Sequence, residues 1–244
     1  MTLGMGGTQS YGEPSYWDKR YTQEDSPFDW YQKYTALAPL LHLYLSPSHR
    51  ILAIGCGNSP FSEGMVEDGY EDVVNIDISS VVIEAMQKKY SDHPQLKYIT
   101  MDVRDMSAFE TDSFDAIIDK GTLDSILCGN DSKENSSMML KEVFRVLKDN
   151  GIYILITYGA PSYRLNLLKS SCKWKIKLHV IEKSVSGAKN EDQQKWELTK
   201  PVPLDQKEKS IEDFIGSNPD VHYIYVCTKD DSLAHGDIDA SVTE

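Results

Sequence analysis

Arg50-Ile51-Leu52-Ala53-Ile54-Gly55-Cys56-Gly57-Asn58-Ser59-Pro60 decides the fold of this chain. Ile51–Ile54 is a short apolar run of the kind that forms a buried parallel strand. Two glycines follow at alternate positions, and Ser59 before Pro60 makes an N-cap and first-turn pair for a helix. The reading is strand, tight glycine turn, helix, with a turn that lets backbone approach a ligand closely. On its own such a turn suits any α/β protein. Its weight comes from Val73-Val74-Asn75-Ile76-Asp77, spaced as the next strand and ending in an acid. Nucleotide-binding α/β folds place the ribose-binding carboxylate about 20 residues beyond the turn.

The ligand follows from what the turn lacks. A dinucleotide fingerprint places a third small residue where this chain has Pro60, and no Walker-type phosphate loop is present. An adenosine ligand without phosphate fits better, and S-adenosylmethionine is the candidate.

With 244 residues the chain is long enough for one α/β domain. Its formal charge of −13 argues against a broad nucleic-acid surface, although an acidic surface suits a basic partner. Cys56, Cys128, Cys172 and Cys227 form neither a zinc pattern nor a disulfide framework, so no metal and a reducing, cytoplasmic compartment are expected. No apolar run reaches the ~18 residues of a membrane span, and no signal or transit peptide is evident.

The expected organisation is a mobile N-terminus over 1–14, one domain over 15–229 with a polar insertion near 183–209, and a disordered acidic tail over 230–244. Tyr16-Trp17-Asp18-Lys19-Arg20-Tyr21 and Phe28-Asp29-Trp30-Tyr31 concentrate aromatic rings ahead of the first core strand. They read either as a helix packed on the domain or as a lid whose ring faces attract a cation. Helices are expected over Tyr34–Leu45, Phe61–Asp68 with Gly69 after it, Ser80–Tyr90, Met138–Lys148 closed by Asn150-Gly151, and a short one over Tyr163–Lys169. Gly129–Ser136 reads as a loop. Further strands are expected at Leu96–Met101, Ser113–Asp119, Ile152–Thr157, Trp174–Ile181 and Val221–Thr228. Asp102 and Val103, after the third strand, suit an adenine amino group and ring, while Asp102 equally suits a cap. Asp119 and Lys120, after the fourth, line either the reaction site or an ordinary salt bridge. The fold class is therefore α/β: a Rossmann-like, seven-stranded, mostly parallel sheet with helices on both faces.

Tyr16-Trp17-Asp18 with Arg20-Tyr21, Phe28-Asp29-Trp30-Tyr31, Ile54-Gly55-Cys56-Gly57-Asn58-Ser59, and Phe114-Asp115 with Asp119-Lys120-Gly121-Thr122-Leu123-Asp124 together carry a resemblance. From about Tyr16 to Thr228 the chain resembles the seven-stranded methyltransferases of the methyltransferase-like protein 13 and elongation factor 1A lysine methyltransferase 4 family. The resemblance implies an antiparallel last strand in the sheet and S-adenosylmethionine as cofactor, held by Trp17, Tyr21, Trp30, Gly55, Asp77, Ile78, Asp102, Val103 and Lys120. It implies as substrate a protein with an accessible lysine, elongation factor 1A among the candidates, and no nucleic acid or membrane. Asp119 is assigned to orient the incoming amine. One departure is that Ala53 and Ile54 stand where many such enzymes carry an acid before the glycine turn. Rival readings are a small-molecule or other-protein methyltransferase, citrate synthase lysine methyltransferases being similar too, and a scaffold that binds the cofactor without turnover.

Overall fold

The computed structural model describes residues 8–24, 26–183, 196–204, 216 and 219–230. Its frame is one seven-stranded sheet ordered β3-β2-β1-β4-β5-β7-β6. The strands are β1 (Arg50–Ile54), β2 (Asp72–Asp77), β3 (Leu96–Thr100), β4 (Phe114–Lys120), β5 (Leu147–Thr157), β6 (Trp174–Glu182) and β7 (Val221–Lys229). Pairings from β3 across to β5 are parallel, and β7 runs antiparallel between β5 and β6. Strand order reverses beside β1, with β2 on one side and β4 on the other, so the crevice at the carboxyl ends of these strands is where a ligand is expected.

The central strands read as continuous apolar runs because both faces are covered. On one face lie α2 (Tyr34–Tyr44), α3 (Phe61–Glu67) and α4 (Ser80–Lys89), which bury Leu37, Leu40, Leu41, Met65, Ile83 and Met86 against Ile51, Val73 and Ile118. The other face carries α5 (Thr122–Cys128), α6 (Ser132–Val146) and α7 (Pro161–Ser171). In α6, Met139, Leu140, Val143 and Val146 repeat at helical spacing and are fully buried, each contributing roughly 1.5–3 kcal/mol. Pro39 sits inside α2 without ending it. Ahead of the sheet, Thr8–Gly12 forms a 3₁₀ turn and α1 covers Pro14–Gln23.

Several local expectations are corrected. Helix α3 starts at Phe61 with Pro60 as its N-cap, although Ser59 Oγ still accepts from the Phe61 amide at 3.1 Å. The polar stretch Gly129–Ser136, expected as a loop, holds the first turn of α6, where Ser132, Lys133 and Glu134 are polar because they are solvated. Helix α5 leaves no clear period in the sequence because its seven residues are too few. Helix α6 ends at Val146, before Asn150-Gly151. That turn instead marks an excursion within β5, where pairing jumps from Phe114↔Leu147 to Ala116↔Ile152 and Asn150 takes a φ of 60°. Within the stretch expected as a mobile N-terminus, Thr8–Gly12 forms the 3₁₀ turn. Within the polar insertion, Leu198 and Val202 are buried, and Val202 bridges Leu178 of β6. The rest of the insertion and the acidic tail beyond Asp230 lie outside the described residues.

Candidate active site

A cavity opens at the carboxyl ends of β1, β2 and β4 and is roofed by the N-terminal aromatic segment. Its floor is the glycine turn. Gly55 and Gly57 take φ of 58° and 53°, the left-handed region that disfavours side chains. A Cβ on Gly55 would stand 2.1 Å from Thr122 Oγ1, and one on Gly57 would stand 2.6 Å from the Tyr21 hydroxyl. The turn is thus a cradle that only glycine leaves open.

Asp77 closes β2 beside it. Its Oδ2 accepts from the Gly57 amide at 2.9 Å and its Oδ1 from the Ser79 amide at 3.0 Å. The Ile78 amide adds a third donor, and the carboxylate keeps acceptor capacity for a ligand hydroxyl. Burial pushes this carboxyl up to about 6, against the lowering effect of those backbone donors.

The roof is tied down at two places. Ser79 Oγ donates to Asp18 Oδ1 at 2.6 Å, anchoring α1. Lys120 Nζ, at the end of β4, donates to Asp29 Oδ1 at 3.2 Å and to the Trp30 carbonyl at 3.1 Å. Asp29 also accepts from Ser59 Oγ. Burial draws the Lys120 ammonium below its ordinary value, and Asp29 opposes the shift. Within the roof, the Arg20 guanidinium stands 5.3–5.9 Å from the ring centres of Trp17, Phe28 and Trp30. At the far wall Asp102 and Val103 face the cavity, with Asp102 paired to Arg104 through Nη2 at 2.6 Å.

Residues 52–155 match the family described as Methyltransferase domain. The chain is 35% identical to the mouse protein named EEF1A lysine methyltransferase 4, over 68% of this chain and 69% of that protein. The chain belongs to this methyltransferase family. It is also 36% identical to the human protein named eEF1A lysine and N-terminal methyltransferase, over 75% of this chain, and spans 27% of that longer relative. Among solved structures, a SAM-dependent methyltransferase of Methanosarcina mazei shares the fold, with a TM-score of 0.55 at 20% identity over 79% of this chain and 97% of that one.

In this methyltransferase the cavity brings together Trp17, Tyr21, Trp30, Gly55, Asp77, Ile78, Asp102, Val103 and Lys120. Asp119 stands apart. It is wholly buried, and its carboxylate accepts from the Thr122 amide at 2.8 Å, the Leu123 amide and the Tyr153 hydroxyl at 2.8 Å. It therefore caps α5, and it is not among the residues that line the cavity. Burial pushes the Asp119 carboxyl up to about 7.

Sequence reasoning missed Asp29 as the roof's anchor, Arg104 as the partner of Asp102, and a second polar cluster next to the cavity. That cluster centres on Asp124 of α5, which is buried. It accepts from Tyr31 Oη at 2.7 Å, Thr157 Oγ1 at 2.6 Å and Arg164 Nη2 at 2.5 Å. Asp124 stood in the sequence as the last residue of the Asp119–Asp124 motif and as an acid in the first turn of α5, with nothing to mark its partners. Tyr31 was visible as one ring in an aromatic run. Among the described residues no helix is long and apolar enough to cross a membrane.

Proposed function

We propose that the chain methylates a lysine side chain of a protein, using S-adenosylmethionine, and that elongation factor 1A is the substrate to test first. The observation that carries the reading is the buried Asp77 carboxylate at the cavity floor, with spare acceptors beside a glycine turn open to a ligand. Two ribose hydroxyls satisfy such a carboxylate. Val103 and Ile78 give apolar walls for adenine, with Asp102 at its amino edge. The rings of Trp17, Tyr21 and Trp30 cover the ligand and exclude water, and Lys120 holds that cover through Asp29.

When bound, S-adenosylmethionine supplies an electrophilic methyl group, which the lone pair of a neutral amine takes while the departing thioether keeps the C–S electron pair. A lysine ammonium has a reference pKa near 10.4, so it releases its proton before attack. What the chain adds is alignment of amine and methyl in a site shielded from water. The protein substrate and its lysine are inferred from relatives named for methylation of eEF1A. Free cysteines at Cys56, Cys128, Cys172 and Cys227 suit a reducing cytoplasm.

The test is transfer of tritium from labelled S-adenosylmethionine to purified elongation factor 1A, with the methylated residue located by mass spectrometry. Labelled lysine is expected. Cofactor binding without transfer to elongation factor 1A or to any protein of a lysate would replace this reading with the scaffold.

A further inference from the structure

The cavity spans the carboxyl ends of β1 to β4. Beside it, at the carboxyl end of β5 and the start of β7, lies a separate constellation. Its centre is Tyr31, whose φ of 62° is an outlier for a bulky residue. The Gln32 amide bonds the Trp30 carbonyl at 2.7 Å, closing a three-residue turn around Tyr31. Such a conformation persists only where its surroundings hold it. Here the Tyr31 hydroxyl is fixed on the buried Asp124 carboxylate, and its ring lies 4.8 Å from His222, centre to centre. Gln32 in turn holds His222 Nδ1 at 3.1 Å.

The ring of Tyr31 backs onto the cavity wall, since a Cβ on Gly121 would stand 3.2 Å from it. Trp30, inside the cavity, Tyr31, and Tyr158 after β5 then follow at centre-to-centre steps of 6.3 Å. Tyr158 is 52% exposed. Its amide reaches Asp124 Oδ2 at 3.3 Å, so one carboxylate fixes both tyrosines. Arg164 neutralises that carboxylate from beneath.

We propose that Tyr31 and Tyr158, positioned by Asp124, line the approach by which the substrate lysine side chain reaches the cofactor cavity. This rests on the methyltransferase reading above and names its acceptor subsite. Ring faces suit both parts of a lysine: the apolar stem packs on them, and the ammonium is attracted to them before it sheds its proton. A buried, already paired carboxylate behind the rings fixes them without trapping the amine as an ion pair. Asp124 is thus a positioning residue.

The experiment compares Tyr158→Ala with Tyr158→Phe, which keeps the ring. Tyr158 is exposed, so neither change threatens the fold. With elongation factor 1A as acceptor, Tyr158→Ala is expected to raise KM about tenfold with kcat nearly unchanged. Tyr158→Phe restores the wild-type KM, and the affinity for S-adenosylhomocysteine is the same in all three. An alanine variant with wild-type KM, or a phenylalanine variant as impaired as the alanine one, overturns the proposal. A second measurement needs no turnover. Protein loaded with S-adenosylhomocysteine and carrying ¹³C-labelled tyrosine is titrated with n-butylammonium, and the rings are assigned from Tyr31→Phe and Tyr158→Phe. Shifts at these two rings support the subsite, and their absence overturns it. A wild type inert toward every protein acceptor would defeat the functional reading, while the titration still judges the subsite.

Discussion

Cofactor affinity is expected to rise about tenfold between pH 5 and pH 7, and Asp77 is the reason. In the free protein burial pushes its carboxyl up to about 6. A group of that pKa is about one-tenth ionised at pH 5 and about nine-tenths ionised at pH 7. Ribose hydroxyls donate to the ionised form, so binding at pH 5 must first remove a proton, which costs about 1.4 kcal/mol relative to pH 7. Asp77→Asn removes the titration. The amide keeps one acceptor oxygen but turns its nitrogen toward the Gly57 or Ser79 amide, donor against donor. Losing one charge-assisted bond and facing that mismatch costs roughly 2–4 kcal/mol at pH 7.5.

Calorimetric titration with S-adenosylhomocysteine from pH 5 to pH 8 measures both effects. The wild-type profile is expected to climb and level off above pH 7, the variant profile to stay flat and lie below it, with the gap narrowing about tenfold at pH 5. Parallel profiles would refute the assignment of the titration to Asp77. The stability of the free protein carries the opposite sign. Since the folded pKa lies above the unfolded value near 3.9, the folded form holds the extra proton between about pH 4 and 6. The contribution of this carboxyl is therefore full below that window and lost as pH rises through it.

Three other expectations follow from the geometry. Gly55→Ala, with a φ of 58° and a Cβ 2.1 Å from Thr122 Oγ1, should destabilise the chain by about 1–3 kcal/mol or more and abolish cofactor binding; wild-type denaturant unfolding would contradict the cradle. Asp29→Ala and Lys120→Met should each cost about 3 kcal/mol, with the double variant costing less than their sum, because each leaves the other's charge buried. Additive losses in chemical denaturation would show that the roof is not held by this pair. Asp119→Asn should leave cofactor affinity and kcat close to wild type and flatten the stability change between about pH 4 and 7. A large loss of kcat with unchanged melting would return Asp119 to the chemistry.

The strands, and Gly55, Asp77, Asp102 and Val103 as residues at the carboxyl edge of the sheet, were legible because they depend on local patterns, whereas Trp17, Tyr21, Trp30, Ile78 and Lys120 were named through the family resemblance. Apolar runs, alternate glycines and acids at strand ends survive in any α/β fold of this kind. What escaped the sequence depends on contacts distant along the chain. Asp29 meets Lys120 across 91 positions, and Tyr31 meets Asp124 across 93. No periodicity reports such a meeting. Arg104 was missed for the opposite reason: it lies two residues from Asp102, yet the pairing depends on a turn whose shape composition does not reveal.

Asp119 shows what strand register adds to the position of an acid in the sequence. Side chains alternate across a strand, and paired residues of neighbouring strands share a face. Ile54 pairs with Ile76 on one side and with Asp119 on the other. Asp119 therefore points with Ile54, Ile76 and Leu155 into the core under α5 and α6, where Tyr153 waits for it. Asp77 and Lys120 are each one residue further on and share the opposite face, the one that α1 and the aromatic roof cover. An acid at a strand end is thus not sufficient to mark a ligand site. The glycine turn after β1 fixes which face opens to the ligand, and parity from that turn divides the acids into Asp77, which meets the cavity, and Asp119, which caps a helix.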